Sequence, residues 1–248
     1  MRHYFAYQRD PERLKAAMGE MLARVSESVM GAAVIRGFGV QDRTIAVSPV
    51  GCAVFLHYYF DTGNTQAAHG RAPAVALGHT VANPTAVVVS YQGDGDLASI
   101  GLAEIVSAAQ LGIPFTVIFV NNAIYGMTGG QMAPTTLLGQ RTTSSPAGRD
   151  ARDAGYPILM TEMLALLPGV AYAARGSVAD PGHIGKTKAM IRAACQAQVD
   201  GAGFSIVEVL SNCPVGWGMT APDSMAHLSA VSQVYPLGIL VDRTGGAT

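Results

Sequence analysis

Charged residues are scarce in this sequence, which limits the ligands and the surface it can have. Lys, Arg, Asp and Glu make up 13% of the 248 residues, against 49% hydrophobic residues, whereas an ordinary soluble domain carries about 25% charged residues. We therefore expect partner chains to cover much of the surface. The net charge of −1 offers no basic surface of the kind that binds nucleic acid.

Long apolar runs and cysteines are scarce as well. No run approaches the roughly 20 apolar residues of a membrane-spanning helix, and the first ten residues, MRHYFAYQRD, lack the apolar core of a signal peptide. We expect a cytoplasmic protein with no membrane contact. The three cysteines, Cys52, Cys195 and Cys213, form no CxxC pair and no disulfide framework.

Apolar runs alternate with helix-like segments along the chain. The predicted strands are 44–47, 87–89, 115–120, 170–174 and 204–210, and the predicted helices are 11–35, 67–82, 98–111, 160–167, 180–199 and 222–230. This alternation predicts an α/β fold, a doubly wound, mostly parallel sheet with helices on both faces. Residues 125–157 form an irregular stretch, long enough to be functional or interfacial. No repeat or linker divides the chain, so we predict a single domain over residues 1–248.

Polar side chains follow two of the predicted strands, at the point where each strand ends. The sequence Gly-Asp-Gly-Asp occupies 93–96, and Asn-Asn occupies 121–122. With the helix between them, the two strands form a βαβ unit, and the carboxyl ends of both strands meet at one edge of the sheet. Open α/β sheets bind their ligands at that edge, so we expect a binding site there.

The glycine-rich turn suits a metal-bound diphosphate. Gly93 and Gly95 permit positive φ and close approach of the backbone to an anion, and the following helix directs its positive end to the same place. A diphosphate calls for a hard cation, and Mg²⁺ prefers oxygen ligands. Asp94 and Asn122, 28 residues apart, can supply two, and the backbone carbonyl of Ile124 a third. Either motif alone would be an ordinary turn or loop, so the prediction depends on the pair.

This pair resembles the thiamine diphosphate motif, in which an asparagine follows Gly-Asp-Gly at a similar distance. Further blocks make residues 42–242 similar to the β subunit of the 2-oxoacid:ferredoxin oxidoreductases. The blocks are SPVGCAVF (48–55), AAHGRAPA (67–74), YQGDGDLASIG (91–101), NNAIYGMTGGQ (121–131), NCPVGWGM (212–219) and YPLG (235–238). The versions at 48–55 and 121–131 look most like the branched-chain, 2-oxoisovalerate type.

The resemblance implies a thiamine diphosphate-binding fold and a CoA-dependent oxidative decarboxylation of a 2-oxoacid. Electrons would pass one at a time to iron–sulfur clusters. The resemblance also implies an α-like partner subunit, which supplies the glutamate that activates the cofactor, and a ferredoxin-like subunit. On this reading the chain is one part of a hetero-oligomer and is inactive alone.

The resemblance also assigns residues. It gives Mg²⁺ the ligands Asp94 and Asn122, with the Ile124 carbonyl as third. The residues that it implies in contact with the cofactor are Gly51, Cys52, His69, Gly70, Gly93, Asp94, Gly95, Asp96, Asn122, Ile124, Tyr125 and Gly126. His69 is also the catalytic candidate, and the alternative for it is a buried histidine bonded to the backbone. Arg71 could face a carboxylate or form an interface ion pair.

The cysteines depart from the family pattern. The resemblance implies a [4Fe–4S] cluster on four cysteines, yet this sequence keeps only Cys52 and Cys213 and lacks the N-terminal Cys-Pro-x-Cys-Gly pair. Three explanations stay open: a lost cluster with electrons leaving through a partner, ligands from another chain, or an incorrect or diverged N-terminus in an inactive protein. Two other functions also stay open, a thiamine-dependent decarboxylase that does not oxidise its substrate and a non-catalytic structural subunit.

Overall fold

The computed structural model describes residues 43–60 and 62–245. The strands are β1 Thr44–Ser48, β2 Gly63–Gln66, β3 Val87–Gly93, β4 Thr116–Asn121, β5 Val170–Ser177, β6 Phe204–Leu210 and β7 Gly238–Asp242. They form a seven-stranded sheet in the order β2-β1-β3-β4-β6-β5-β7. Neighbouring strands are parallel, except β5 and β7, which are antiparallel. The predicted doubly wound, mostly parallel sheet is confirmed.

Helices connect most of these strands. The α-helices are α1 Ala72–Ala82, α2 Leu102–Leu111, α3 Ala151–Ala154, α4 Met160–Ala165, α5 Pro181–Val199, α6 Pro214–Trp217 and α7 Ala221–Val234. A 3₁₀ helix, Cys52–Tyr58, follows β1, and a π-helical turn, Asp96–Ile100, precedes α2. Within the described part of the chain, no helix has the length and apolar character needed to span a membrane.

Side chains of the central strands point alternately to two hydrophobic cores, one on each face of the sheet. On one face Val87, Val89 and Tyr91 of β3 pack with residues of α5 and α7. On the other face Val88 packs with residues of α1, α2 and α4. β3 is therefore buried on both sides, which explains why it reads as a continuous apolar run.

The predicted strands at 44–47, 87–89, 115–120, 170–174 and 204–210 are all present, and β3 and β5 extend further than predicted. Helix α5 begins after Asp180, whose side chain accepts a hydrogen bond from the backbone N–H of His183, as an N-cap does. Helix α4 ends two residues earlier than predicted, and α7 extends to Val234. The predicted helix at 11–35 lies outside the described residues.

Two predicted helices differ from the structure. The first begins at Ala72 rather than at residue 67, because Gly70 takes φ +74° and Pro73 lies in the first turn of α1. The second, predicted as continuous over 98–111, is divided at Gly101 between the π-helical turn and α2. A Cβ atom at Gly101 would collide with the backbone oxygen of Asp96 and would lie 2.9 Å from that of Gly70, so only glycine fits at this break.

The edge strands β2 and β7 are absent from the sequence prediction. β2 has the polar sequence GNTQ and is mostly exposed, and β7 is half-exposed along its length. β2 carries no apolar run, which is the signal from which the other strands are predicted. β7 carries a short one at 239–241 that is only half-buried and that the sequence prediction missed. The single-domain organisation over residues 1–248 stays a prediction.

The parallel register brings three polar turns to one edge of the sheet. Gly93 of β3 pairs with Val120 of β4, and Asn121 of β4 pairs with Leu210 of β6. The turns that follow these strands, at 94–96, 122–124 and 211–213, are therefore neighbours. The turns at 94–96 and 122–124 line a cavity at this edge, and the turn at 211–213 lies beside it.

Candidate active site

A cavity of about 380 Å³ opens at this edge of the sheet, a volume within the range of small-molecule sites. Its walls come from the turns after β1, β3 and β4 and from the segment before α1. The predicted site residues that line it are Gly51, Cys52, His69, Gly93, Asp94, Gly95, Asp96, Asn122, Ile124, Tyr125 and Gly126. Gly70 and Cys213 are the predicted residues that do not line it.

Asp94 is held firmly in the cavity wall. It is 4% exposed, and its Oδ1 accepts a hydrogen bond from the backbone N–H of Gly95 at 2.8 Å. Its Oδ2 accepts from the backbone N–H of Ile124 at 3.2 Å and from the hydroxyl of Thr135 at 2.7 Å. Burial raises the pKa of Asp94 to about 6, although these hydrogen bonds lower it. A bound cation would relieve the cost of burying this charge.

Asn122 lies opposite Asp94 in the second turn. Its Oδ1 accepts a hydrogen bond from the backbone N–H of Ile124 at 3.3 Å, and its backbone carbonyl accepts from the indole of Trp217 at 2.9 Å. The Ile124 N–H is thus shared between the oxygens of Asn122 and Asp94. This shared donor brings an amide oxygen and a carboxylate oxygen to the same part of the cavity.

The preceding asparagine, Asn121, anchors the turn instead of facing the cavity. Its Oδ1 accepts from the backbone N–H of Ala123 at 3.0 Å, and its Nδ2 donates to Oε1 of Glu208 at 2.7 Å. Ala123 has φ +56°, an uncommon conformation for a residue with a side chain. The two asparagines therefore have different roles. The side chain of Asn121 fixes the turn, and Asn122 presents its amide oxygen to the cavity.

Small residues keep the cavity open. A Cβ atom on Gly93 would have no atom within 4 Å and would occupy the open space of the cavity. A Cβ atom on Gly95 would lie 2.7 Å from the ring of Tyr125, closer than any real contact. A side chain at Gly93 would thus take up space that a ligand could use, whereas a side chain at Gly95 would collide with Tyr125.

Comparisons with known proteins agree with this geometry. Residues 49–209 match the thiamine pyrophosphate enzyme family, C-terminal TPP binding domain. The chain is 57% identical over 207 residues to ketoisovalerate oxidoreductase subunit VorA of Methanothermobacter marburgensis, a match over 83% of this chain and 43% of that protein. It is 38% identical over 196 residues to 2-oxoglutarate synthase subunit KorB of Archaeoglobus fulgidus, over 79% of this chain and 68% of that one. The chain belongs to the 2-oxoacid:ferredoxin oxidoreductase subunits that bind thiamine pyrophosphate.

The fold agrees with a solved structure of this family. The chain superposes with a TM-score of 0.74 on a 2-oxoglutarate:ferredoxin oxidoreductase from Magnetococcus marinus, at 23% identity, over 94% of this chain and 80% of that one. That protein was solved with 2-oxoglutarate, coenzyme A and succinyl-CoA bound. The chain spans less than half the length of VorA and about two thirds of KorB.

His69 lies at the exposed end of a hydrogen-bond chain whose other members are buried. Its Nδ1 lies 2.6 Å from Oδ1 of Asp96, which also accepts from the backbone N–H of Gly70 at 2.8 Å. Oδ2 of Asp96 accepts from Nε2 of Gln92 at 2.7 Å, and Oε1 of Gln92 accepts from the hydroxyl of Ser90 at 3.0 Å. His69 is thus bonded to a carboxylate rather than to the backbone, and its side chain remains 45% exposed.

Cys52 and Cys213 come together beside the cavity. A Cβ atom on Gly126 would lie 3.1 Å from Sγ of Cys213 and 3.7 Å from Sγ of Cys52. Burial, with a smaller contribution from the charges of Cys213 and Asp94, raises the pKa of the Cys52 thiol to about 12. Cys195 lies apart from them, buried in helix α5 and packed in the core.

These thiols do not make a complete ligand set for an iron–sulfur cluster. The 248 residues contain three cysteines, whereas a [4Fe–4S] cluster is held by four thiolates. Among the described residues, no group of three or more His, Cys, Asp and Glu side chains is placed to hold a metal ion. The two sulfurs at the cavity therefore leave the implied cluster two ligands short.

A buried network of ion pairs holds the turn after β4 through Asn121. Arg175 of β5 is fully buried, and its Nε donates to Oε2 of Glu208 at 2.8 Å while its Nη1 donates to Oε1 of Glu162 at 2.6 Å. Glu208 in turn accepts from Asn121. The network links three strands to the turn that carries Asn122.

Sequence reasoning missed some of these residues. Arg175 and Glu208 carry a usable signal, because charged residues in the middle of apolar strands are expected to be paired. Thr135 carries none, since it lies in the irregular stretch, 41 residues after its partner Asp94.

Arg71 faces a carboxylate of this chain. It forms an ion pair with Glu104 at 2.6 Å, and this pair is half-exposed.

Proposed function

We propose that this chain is the β subunit of a 2-oxoacid:ferredoxin oxidoreductase that carries out CoA-dependent oxidative decarboxylation of a branched 2-oxoacid such as 2-oxoisovalerate. The observation that carries the proposal is the placement of buried Asp94 and Asn122 around one backbone N–H, that of Ile124, in the wall of an open cavity. The identity of 57% to a ketoisovalerate oxidoreductase subunit supports the choice of substrate.

The residues present fit magnesium thiamine diphosphate. Asp94 and Asn122, with the backbone carbonyl of Ile124, would hold Mg²⁺, because all three supply the oxygen atoms that this ion prefers. The open space in front of Gly93 would admit the diphosphate. The raised pKa of the buried Asp94 carboxyl supports a cation at this place, since a positive charge would stabilise the ionised form.

Thiamine diphosphate, when bound, supplies the carbanion that attacks the keto carbon and the electron sink for decarboxylation. The contribution of this chain is binding and orientation. Asp94 and Asn122 fix the metal end of the cofactor. The other predicted contacts, Gly51, Cys52, His69, Gly95, Asp96, Tyr125 and Gly126, line the remaining wall. Gly70 would act through its backbone N–H on Asp96.

An α-like subunit and a ferredoxin-like subunit are part of the proposal. The relatives are named as subunits, and the low charge content of the chain, 13%, fits a surface covered by other chains. Electron transfer through a cluster in this chain is not part of the proposal, because the chain offers two thiols at the site and a [4Fe–4S] cluster needs four. A cytoplasmic location stays a prediction from the sequence.

Substrate turnover in the purified assembly of this chain with its partner subunits tests the proposal. With 2-oxoisovalerate, CoA and thiamine diphosphate, we expect reduction of viologen or ferredoxin and formation of the acyl-CoA. Release of an aldehyde without acceptor reduction would indicate a decarboxylase that does not oxidise. An assembly that binds no thiamine diphosphate would indicate a structural subunit. Either of the last two results would overturn the proposal.

A further inference from the structure

The second acidic residue of the glycine-rich turn, Asp96, has both carboxylate oxygens occupied by donors of this chain. Oδ1 accepts from the ring of His69 at 2.6 Å and from the backbone N–H of Gly70 at 2.8 Å, and Oδ2 accepts from the amide of Gln92 at 2.7 Å. Asp96 is 2% exposed. A buried carboxylate that is held in this way has little left to offer a diphosphate, which would in any case repel it.

The carboxylate of Asp96 fixes the orientation of the Gln92 amide, and the Ser90 hydroxyl, which can donate or accept, adapts to it. Oε1 of Gln92 accepts from the hydroxyl of Ser90 at 3.0 Å, and both residues are fully buried. The opposite orientation would turn the amide oxygen of Gln92 toward the carboxylate of Asp96, and two acceptors would then face each other. Gln92 therefore donates to Oδ2 of Asp96, and the backbone N–H of Gly70 donates to Oδ1, so both oxygens act as acceptors.

The acceptor character of Asp96 settles which nitrogen of His69 carries the proton. An ionised carboxylate accepts hydrogen bonds and donates none, so the contact at 2.6 Å requires a proton on Nδ1 of His69. In the neutral imidazole, Nε2 is then the acceptor. The His69 side chain lines the cavity and is 45% exposed, whereas that of Asp96 is 1% exposed.

We infer that Asp96 is a positioning residue: it holds His69 in the Nδ1–H tautomer and leaves Nε2 free to accept a hydrogen bond from a donor group of the ligand in the cavity. This inference rests on the proposed function for the identity of the ligand. It gives the two carboxylates of Gly-Asp-Gly-Asp separate tasks, with Asp94 on the metal and Asp96 on the histidine.

Two variants separate this role from a merely structural one. In Asp96→Asn one of the two carboxylate oxygens is replaced by an NH₂ group, which faces either the amide of Gln92 or Nδ1 of His69. When it faces His69 it donates to an unprotonated Nδ1, so the Nδ1–H tautomer is no longer enforced. The double variant, Asp96→Asn with Gln92→Glu, restores the acceptors. The carboxylate introduced by Gln92→Glu accepts from both the new asparagine amide and Ser90, which leaves the oxygen of that amide for His69 and Gly70.

The first measurement is the ¹⁵N chemical shift of the His69 imidazole in the purified assembly without cofactor, assigned with His69→Gln. We expect a protonated Nδ1 in the wild type, loss of that preference in Asp96→Asn, and its return in the double variant. The second measurement is turnover. We expect kcat to fall roughly tenfold to hundredfold in Asp96→Asn, by analogy with the loss of a partner that orients a metal-bound histidine. KM should change little, and the double variant should recover kcat.

Three results would overturn the inference. The first is an unprotonated Nδ1 of His69 in the wild type. The second is that both the tautomer and kcat are unchanged in Asp96→Asn. The third is that both Asp96 variants bind thiamine diphosphate more weakly while the tautomer is unchanged. The first needs no variant to fold. If the assembly binds no thiamine diphosphate but the tautomer still depends on Asp96, the proposed function fails and the positioning role stands.

Discussion

At the scale of single residues, the hydroxyl of Thr135 is a contact that orients the Asp94 carboxylate, the proposed magnesium ligand. It donates to Oδ2 of Asp94 at 2.7 Å, and both residues are buried. This bond favours the ionised carboxylate against the effect of burial, which raises its pKa. The bond also fixes the orientation of the carboxylate, so that it need not reorient when a ligand binds.

Replacement of Thr135 by valine keeps the shape and removes the hydroxyl. A hydrogen bond to a charged group contributes about 1.5–3 kcal/mol, so we expect Thr135→Val to weaken the binding of magnesium thiamine diphosphate by roughly tenfold or more. Isothermal titration of the purified assembly measures this. Thr80→Val is the matched control, because Thr80 donates to a carbonyl within helix α1. Equal affinity in Thr135→Val and wild type would contradict the role given to Thr135.

Gly93 tests whether the cavity holds the cofactor. Its Cβ would meet nothing within 4 Å and would extend into the cavity, so Gly93→Ala should fold normally and bind the cofactor at least tenfold more weakly, roughly 1.4 kcal/mol or more. Thermal unfolding and cofactor titration measure the two effects. Gly78→Ala in helix α1 also meets no atom, and we expect it to leave cofactor affinity unchanged. Full affinity in Gly93→Ala would place the diphosphate elsewhere.

At the scale of elements, the network of Arg175, Glu162 and Glu208 joins helix α4 to strands β5 and β6. Burial raises the pKa of Glu162, but the hydrogen bonds and charge of Arg175 outweigh it, so its pKa lies below the ordinary value of 4.5. The folded state therefore binds a proton at Glu162 less readily than the unfolded state. This stabilisation is present above the ordinary glutamate pKa and is lost as the pH falls through the lower value of the folded state.

We expect Glu162→Gln to remove part of this acid dependence. The free energy of unfolding of the wild type should fall more steeply below about pH 4.5 than that of the variant, as followed by chemical denaturation at a series of pH values. Glu104→Gln serves for comparison, because the partner of Glu104 is the half-exposed Arg71 and exposed pairs contribute little. If the free energy of unfolding falls equally steeply below about pH 4.5 in the wild type and in Glu162→Gln, the network does not stabilise the ionised form of Glu162.

At the scale of the whole molecule, the buried centre of the fold could be predicted and its edges could not. Strands β4 and β6 are buried throughout and β3 is buried up to Gln92. Their apolar runs predict where they lie, and the helices between them predict that they are parallel. The edge strands β2 and β7 are exposed or half-exposed and depend on pairing with neighbours, which leaves no periodic signal. At the break, Gly101 lies against the backbones of Asp96 and Gly70, and the second of these contacts is tertiary and cannot be predicted from the local sequence.

The site divides in the same way. Asp94 and Asn122 follow buried strands, and their spacing of 28 residues is a consequence of the βαβ unit, so the pair could be predicted. Thr135 could not, because its role arises from a contact with Asp94, 41 residues away. Gln92 lies four residues from Asp96, but the sequence does not show that the two side chains turn toward each other. Exposed apolar side chains such as Tyr156 and Leu166, 75% and 81% exposed, fit the expectation of partner chains that follows from the low charge content.

The most direct test of the central claim is the binding of magnesium thiamine diphosphate to the assembly with and without the Asp94 carboxylate. We expect Asp94→Asn to weaken this binding at least tenfold, about 1.4 kcal/mol, and to raise the Mg²⁺ concentration needed for it. Asp153→Asn, at an exposed position in helix α3, should bind like the wild type. Wild-type affinity and Mg²⁺ dependence in Asp94→Asn would contradict the placement of the cofactor between β3 and β4.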